Sequence, residues 1–425
     1  MKESCLPSWE RELLDAPIVD VHEHHIPTIF LSNRVHLLDL FRHSYAAWTL
    51  RRPYPLPSEH EREDSSEPVM ESFGWEHLSP YLDQRGSNSF VRNLSRGILA
   101  IHGVEDAKEI HQGNWEALNA RVIQSHLQKG FQANILKRAN ITRVITDDYT
   151  DPLLDARTCF GSGYYSVMRI NAFALGWHPD SKDHNGNSAM QLLDRAGLHP
   201  ETFEDYLEAL GFLTRQMKNR GQLALKNALA YDRSISFSAP NLDLARRAWG
   251  KRNPAETEKL AFGDYIADHF CKLAAEIDVP IQMHLGTALI RGSHPMHVAG
   301  LVERNPGTRF LLMHLAYPWS RDLLAMAFVY RNIWIDLTWS WLLSPSHFES
   351  ALHEAIEILP DEGRMMLGGD NWHIEETFGT MQTFRQLLLK TFHEKVVSGY
   401  FSERDALRLG HRILHENAQS FFAHA

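Results

Sequence analysis

The sequence predicts an α/β fold, a single (β/α)8 barrel over residues 1–425, and three observations predict it. Short apolar segments recur along the chain, eight in all. Helical patterns separate the later ones. Several of the segments end in a histidine, a lysine or an aspartate. Near-continuous apolar runs suit strands covered on both faces, and strands alternating with helices suit a parallel sheet. Eight such strands suit a closed barrel rather than an open sheet.

The strands read in order as 16–22 (APIVDVH), 141–147 (ITRVITD), a weaker stretch at 167–174, 222–226 (QLALK), 280–284 (PIQMH), 309–314 (RFLLMH), 332–336 (NIWID) and 364–370 (RMMLGGD). Helices are expected at 203–218, 256–276, 295–304 and 319–331, where apolar residues recur at three- and four-residue spacing. The tail from 376 to 425 reads as amphipathic helix packed on the barrel wall.

The segment between residues 25 and 140 is far longer than the roughly 30 residues of a whole βαβ unit. It reads as a helical insertion at about 30–140 after the first strand, with helices at 89–101 and 114–139 and a Pro-bearing loop at 51–68. Such an insertion should sit over the C-terminal mouth of the barrel, as a lid or a dimer contact. A second loop at 176–200, rich in His, Asp, Asn and Gly, is expected over the same mouth.

The chain has 43 Lys and Arg against 53 Asp and Glu, a formal net charge of −10, and no basic block. Nucleic acid and anionic membrane are therefore poor partners. Cys5, Cys159 and Cys271 are sparse and far apart, which argues against a disulfide framework. With no apolar leader at the N-terminus and no membrane-length apolar run, a cytoplasmic location is the expectation.

The first local signal is Asp20-Val21-His22-Glu23-His24. Residues i and i+2 of a strand point to one side, so His22 and His24 face the barrel mouth together, and two imidazoles so placed suit a divalent metal. Alone, the pair reads equally as surface histidines. His284, His314 and Asp370, each ending an apolar run, stand where barrel enzymes place catalytic groups. Lys226 ends the fourth strand, as a cation in the mouth or a snorkelling side chain. Tyr231 and Arg233 share the loop after it, and Trp372 and His373 follow Asp370; each reads as pocket-lining or as ordinary packing. Together Lys226 and Arg233 suggest an acidic substrate, and loss of Arg233 is expected to raise KM. Asp147-Asp148 reads as a helix cap or a pocket wall. There is no GxSxG elbow and no GxxxxGK[ST] loop, and Gly161-Ser162-Gly163 completes no dinucleotide fingerprint.

These residues carry a resemblance. The D-x-H-x-H after strand one, the histidines after strands five and six and the aspartate after strand eight resemble the amidohydrolase superfamily, and within it the amidohydrolase-related branch. LALKNALAYDRSI, MHLGT and MHLAYPWSRDLLAMAFVYRNIWIDL are similar to a subgroup related to the barrel domain found with glutamine synthetase-like proteins. The similarity covers strand one and residues 220–420.

The resemblance implies one divalent metal, zinc by expectation, held by His22, His24, His284 and Asp370. Asp370 would take the proton of a metal-activated water, and His314 would act as acid, base or electrophile. A lysine at the place of Lys226 is carboxylated in two-metal members; unmodified, it would hold a substrate carboxylate. The reaction implied is hydrolysis of an amide, ester or lactone in a small anionic molecule. Decarboxylation, a uronate isomerase and a non-catalytic metal-containing binding module are the alternatives.

Overall fold

The computed structural model describes residues 6–25, 35–50, 73–103 and 108–423. The expected loop at 51–68 and Cys5 lie outside the described residues. Eight strands, β1 Ile18–Glu23, β2 Ile141–Thr146, β3 Tyr164–Arg169, β4 Gln222–Asn227, β5 Ile281–Met283, β6 Phe310–Leu312, β7 Ile333–Asp336 and β8 Met365–Met366, follow one another in a single sheet in sequence order. The pairings from β2–β3 to β7–β8 are parallel. The result is a nearly closed (β/α)8 barrel. Every residue of β1 and of β4 is buried, as strands covered on both faces should be.

The chain groups into two compact units. The first holds residues 1–142, 339–349 and 368–411; the second holds 143–338, 350–367 and 412–425.

In the first unit, the chain after β8 is bonded to β1. Asp370 N donates to His22 O at 2.8 Å and His24 N to Asn371 O at 2.9 Å. Among its described residues the insertion is helical, with helices Leu37–Arg42, Tyr45–Trp48, Trp75–Asp83, Ser89–His102, Trp115–His126 and Phe131–Arg138. It has an apolar core of its own, including Leu40, Phe41, Leu78, Leu94, Ile98 and Val122. The single helix expected at 114–139 is two, broken at Gly130, whose φ of 79° lies in the left-handed region. Helix Ser89–His102 lies against helix Ile374–Val397 backbone to backbone. A Cβ on Gly97 would stand 1.9 Å from Glu375 O, and one on Gly379 2.3 Å from Asn93 O. Only glycine permits that approach.

In the second unit, β3 begins and ends earlier than the apolar pattern suggests. Residues 171–174 form a helical turn instead. Asn171 accounts for the exit from the strand: its Oδ1 accepts from Ala228 N at 2.9 Å and its Nδ2 donates to Asp232 Oδ2 at 2.7 Å. The helices expected at 203–218 and 256–276 are Phe203–Arg215 and Glu256–Glu276. The one expected at 295–304 opens as a 3-10 turn, Pro295–Val298, and continues as the helix Ala299–Arg304. The tail is broken at Gly399, φ 73°, into helices Ile374–Val397 and Glu403–His411 of the first unit and Asn417–Phe421 of the second. No helix among the described residues is long and apolar enough to cross a membrane.

Candidate metal centre and active site

In the first unit β1 delivers His22, the residue just after the strand is His24, and the turn after β8 delivers Asp370. His22 Nε2 and His24 Nε2 lie 3.2 Å apart, and Asp370 Oδ1 is 3.0 Å from His24 Nε2 and 3.7 Å from His22 Nε2. All three are buried. Asp370 has a φ of 63°, uncommon for a residue with a side chain and of the kind that clusters at functional sites. Gly369 makes the turn possible: its N donates to Asp20 Oδ1 at 3.0 Å, and a Cβ there would stand 2.1 Å from Glu23 Oε1.

Two buried carboxylates support this cluster. Asp20 Oδ1 also accepts from His22 N at 3.2 Å, and Glu23 accepts from Asn371 N, from Asn371 Nδ2 at 3.1 Å and from Thr377 Oγ1 at 3.0 Å. Burial pushes Asp20 up to about 7 against the lowering effect of its hydrogen bond with Glu23, while burial and then the Asp20 charge push Glu23 well above the usual carboxylate range. Two imidazoles and a carboxylate converging at these distances are a donor set that a divalent cation of the zinc type fits.

Behind this cluster lies a network that no motif announced. Glu375 Oε1 accepts from His102 Nε2 at 2.9 Å and from His126 Nε2 at 2.8 Å, while His373 Nδ1 faces Glu375 Oε2 at 3.1 Å. His373 Nε2 faces Leu40 O at 2.9 Å. Both ring nitrogens of His373 thus face oxygens that accept, which suits the imidazolium. Burial works against that charge, but Glu375 outweighs it and raises the pKa of His373. For Glu375 burial is likewise outweighed, here by His126, His102 and His373, and its pKa falls well below the carboxylate range. His373 is therefore turned toward the insertion helices. Trp372 is half-buried, with its ring 5.6 Å from that of Tyr45, and its N donates to Glu376 Oε2 at 3.1 Å.

In the second unit His284 and His314 meet. His284 Nδ1 is 3.0 Å from His314 Nε2. His284 Nε2 faces Thr287 O at 3.3 Å and His314 Nδ1 faces Thr338 O at 3.2 Å. Carbonyls only accept, so those outer nitrogens are assigned the protons, and the neutral tautomers turn two lone pairs toward each other. An added proton would relieve them, but burial, then His314 and Lys226, push the pKa of His284 well down. Lys226 is buried at the end of β4 and its Nζ donates to Met313 Sδ at 2.7 Å. The ring of Tyr231 lies 4.5 Å from that of His284. Arg233 is placed differently from the expected carboxylate grip: its Nη2 donates to Asp264 Oδ1 at 2.6 Å and its Nη1 to Leu260 O at 3.1 Å, so helix Glu256–Glu276 holds the guanidinium.

Two pairs escaped sequence reading. Arg169 grips Asp147 through Nε at 3.1 Å and Nη2 at 2.5 Å, both buried; the misplaced third strand hid Arg169 as a strand-ending residue. His184 pairs with Asp232 at 2.9 Å. Asp148 is a turn cap, accepting from Thr150 N at 2.7 Å and Asp151 N at 2.8 Å.

Residues 238–423 match the amidohydrolase family. Over that stretch the chain is similar to the amidohydrolases. This family is metal-dependent and acts on small substrates. Protein fluG of Emericella nidulans is 31% identical over 150 residues, 34% of this chain but 17% of the relative, so the chain matches only a small part of that protein. Among solved structures, the uronate isomerase of Thermotoga maritima superposes with a TM-score of 0.75 at 17% identity, covering 98% of each chain. The glucuronate isomerase of Caulobacter crescentus gives 0.75 at 14% identity over 100% of this chain and 96% of its own. At these identities the likeness is one of fold.

Proposed function

We propose that this chain is a metal-dependent hydrolase that cleaves an amide, ester or lactone bond in a small carboxylated substrate. One divalent cation, zinc by the chemistry of the donors, would be held by His22, His24, His284 and Asp370. The observation that carries the reading is Asp370 Oδ1 at 3.0 Å from His24 Nε2, a buried carboxylate set among imidazoles. When bound, the cation would polarise the scissile carbonyl and make a water acidic.

The chain's own residues do the rest. Asp370, held rigid by its backbone bond to β1, takes one proton from the attacking water and returns it to the departing nitrogen or oxygen as the bond to the carbonyl carbon breaks. His314, with Nδ1 turned to Thr338 O and Nε2 3.0 Å from His284 Nδ1, stands beside that proposed ligand as an acid, base or electrophile. Lys226 offers a buried positive charge to the substrate carboxylate, and Tyr231 lines the same loop. Trp372 and His373 belong to the support of Asp370.

A second reading is isomerisation of a uronate. It is favoured by the two isomerase folds that cover this chain from end to end, insertion included. Asp370 would then carry a proton between adjacent carbons with no water consumed.

The test is turnover of N-acyl amino acids, lactones and uronates in H2-18O and, separately, in D2O. Heavy oxygen in a new carboxylate supports hydrolysis. Deuterium at carbon without heavy oxygen supports isomerisation and overturns the first reading.

A further inference from the structure

The loop at 176–200 brings His184 against Asp232 in a largely buried hydrogen-bonded pair that the proposed reaction does not use. His184 N donates to Asp232 Oδ1 at 2.7 Å and His184 Nδ1 lies 2.9 Å from Asp232 Oδ2. Asn171 Nδ2 donates to the same Oδ2 at 2.7 Å, so Asp232 is gripped from β3's end as well as from the loop. The side chains of His184 and Asp232 are only 11% and 7% exposed. Burying such a pair costs desolvation, and a single loop contact does not call for it.

The rings explain what the pair holds. The His184 imidazole lies 5.0 Å from the Tyr231 ring at 31°, and Tyr231 lies 4.5 Å from His284 at 46°. His284 in turn meets His314 at 4.5 Å. Tyr231 is thus held between two imidazoles. Its backbone is fixed as well, by the 3-10 turn Leu229–Tyr231 and the bond from Tyr231 N to Ala228 O at 3.1 Å. His284 has ring neighbours on two sides, and Tyr231 is one of them.

Building on the reading of His284 as a metal ligand, we propose that His184 and Asp232 are positioning residues that fix the His284 imidazole for its cation, acting through Tyr231. The Asp232 carboxylate requires a proton on His184 Nδ1, which sets the tautomer and the ring plane. That plane sets Tyr231, and Tyr231 limits the rotation of His284. Groups that orient a ligand without touching the ion are worth about 10- to 100-fold in metal affinity.

The experiment is a zinc titration of the metal-stripped full-length protein against a chromophoric chelator, with thermal melting of the stripped protein alongside. His184→Ala removes the ring and Asp232→Asn removes the charge that orients it. We expect each to weaken zinc binding about 10-fold in a stripped protein that still melts cooperatively, at a somewhat lower temperature because a largely buried partner is lost. His184→Gln serves as a milder replacement if the alanine variant does not fold, with the same expectation. Unchanged zinc affinity in these variants, with weakened affinity in His284→Ala, overturns the positioning role alone. Unchanged affinity in His284→Ala overturns the ligand reading and the positioning role with it.

Discussion

Glu375 Oε1 sits 2.8 Å from His126 Nε2, and the same oxygen is 2.9 Å from His102 Nε2. One buried carboxylate thus receives a donor from each of two insertion helices while it balances the charge of His373. Glu375→Gln keeps an acceptor but removes the charge. Breaking a buried ionic network by one partner typically costs about 3–5 kcal/mol. We expect a loss of that order in urea unfolding; a loss below about 1 kcal/mol would show that the network contributes little.

Asp370 and His24 are predicted to be required for metal retention. After dialysis against buffer, the parent protein should hold close to one zinc by elemental analysis, and Asp370→Asn or His24→Ala should hold almost none. With a substrate identified, Asp370→Asn should lower kcat by about 10²- to 10⁴-fold, the usual worth of a positioned proton-transfer group. Full zinc retention in both variants would contradict the proposed ligand set.

His43 gives a pH dependence with a definite sign. Burial, then His373 and Arg42, lower its pKa from 6.5 to about 4. Between those values the unfolded chain binds a proton that the folded chain refuses, so stability falls as pH drops from 6.5 toward 4. The slope for one such group is about 1.4 kcal/mol per pH unit. Denaturant midpoints at pH 7 and pH 5 should differ more in the parent than in His43→Gln. Equal differences would remove His43 from the cause.

Gly97 is predicted to tolerate no side chain. A methyl group there would collide with Glu375 O and also stand 3.0 Å from Gly379 N, both of them backbone atoms. Overpacking a core costs about 1–3 kcal/mol, and here neither partner can rotate away. Gly97→Ala should lower the melting temperature by several degrees, measured calorimetrically, although alanine is the better helix former. A rise in melting temperature would show that the two helices can separate freely.

Arg233→Ala should act on stability rather than on substrate. Its guanidinium serves Asp264, whose other oxygen accepts only from Ser238 N among the described bonds, at 3.0 Å. Leaving that buried carboxylate short of a partner costs about 1–3 kcal/mol. A lowered melting temperature with unchanged KM is the expected pair of results, the reverse of what the sequence suggested.

What could be read from the sequence follows from how local the cause is. Strand β1 and the inward pair His22 and His24 depend on a two-residue repeat, and the repeat is visible in Asp20-Val21-His22-Glu23-His24. Asp370 was visible as the polar end of an apolar run, but its left-handed backbone was not, because that depends on Gly369 passing close to Glu23. Strand β3 was misplaced because Asn171, not a change in hydrophobicity, ends it. Glu375, His102 and His126 were unreadable for the same reason as His184 and Asp232: each contact joins residues far apart in sequence, and neither partner has a distinctive neighbourhood. Trp372 and His373 were singled out by proximity to Asp370, which does not say which way a side chain turns.

The unit that carries His22, His24 and Asp370 is woven from segments far apart in the chain, residues 1–142 and 368–411 with a short piece between. A ribosome releases the first two histidines more than three hundred residues before the aspartate that faces them. The nascent amino-terminal part must wait, with the glycine groove of helix Ser89–His102 uncovered, until helix Ile374–Val397 emerges to fill it. Such a chain is exposed to aggregation during synthesis and is expected to lean on chaperones at that stage more than a chain whose units are contiguous.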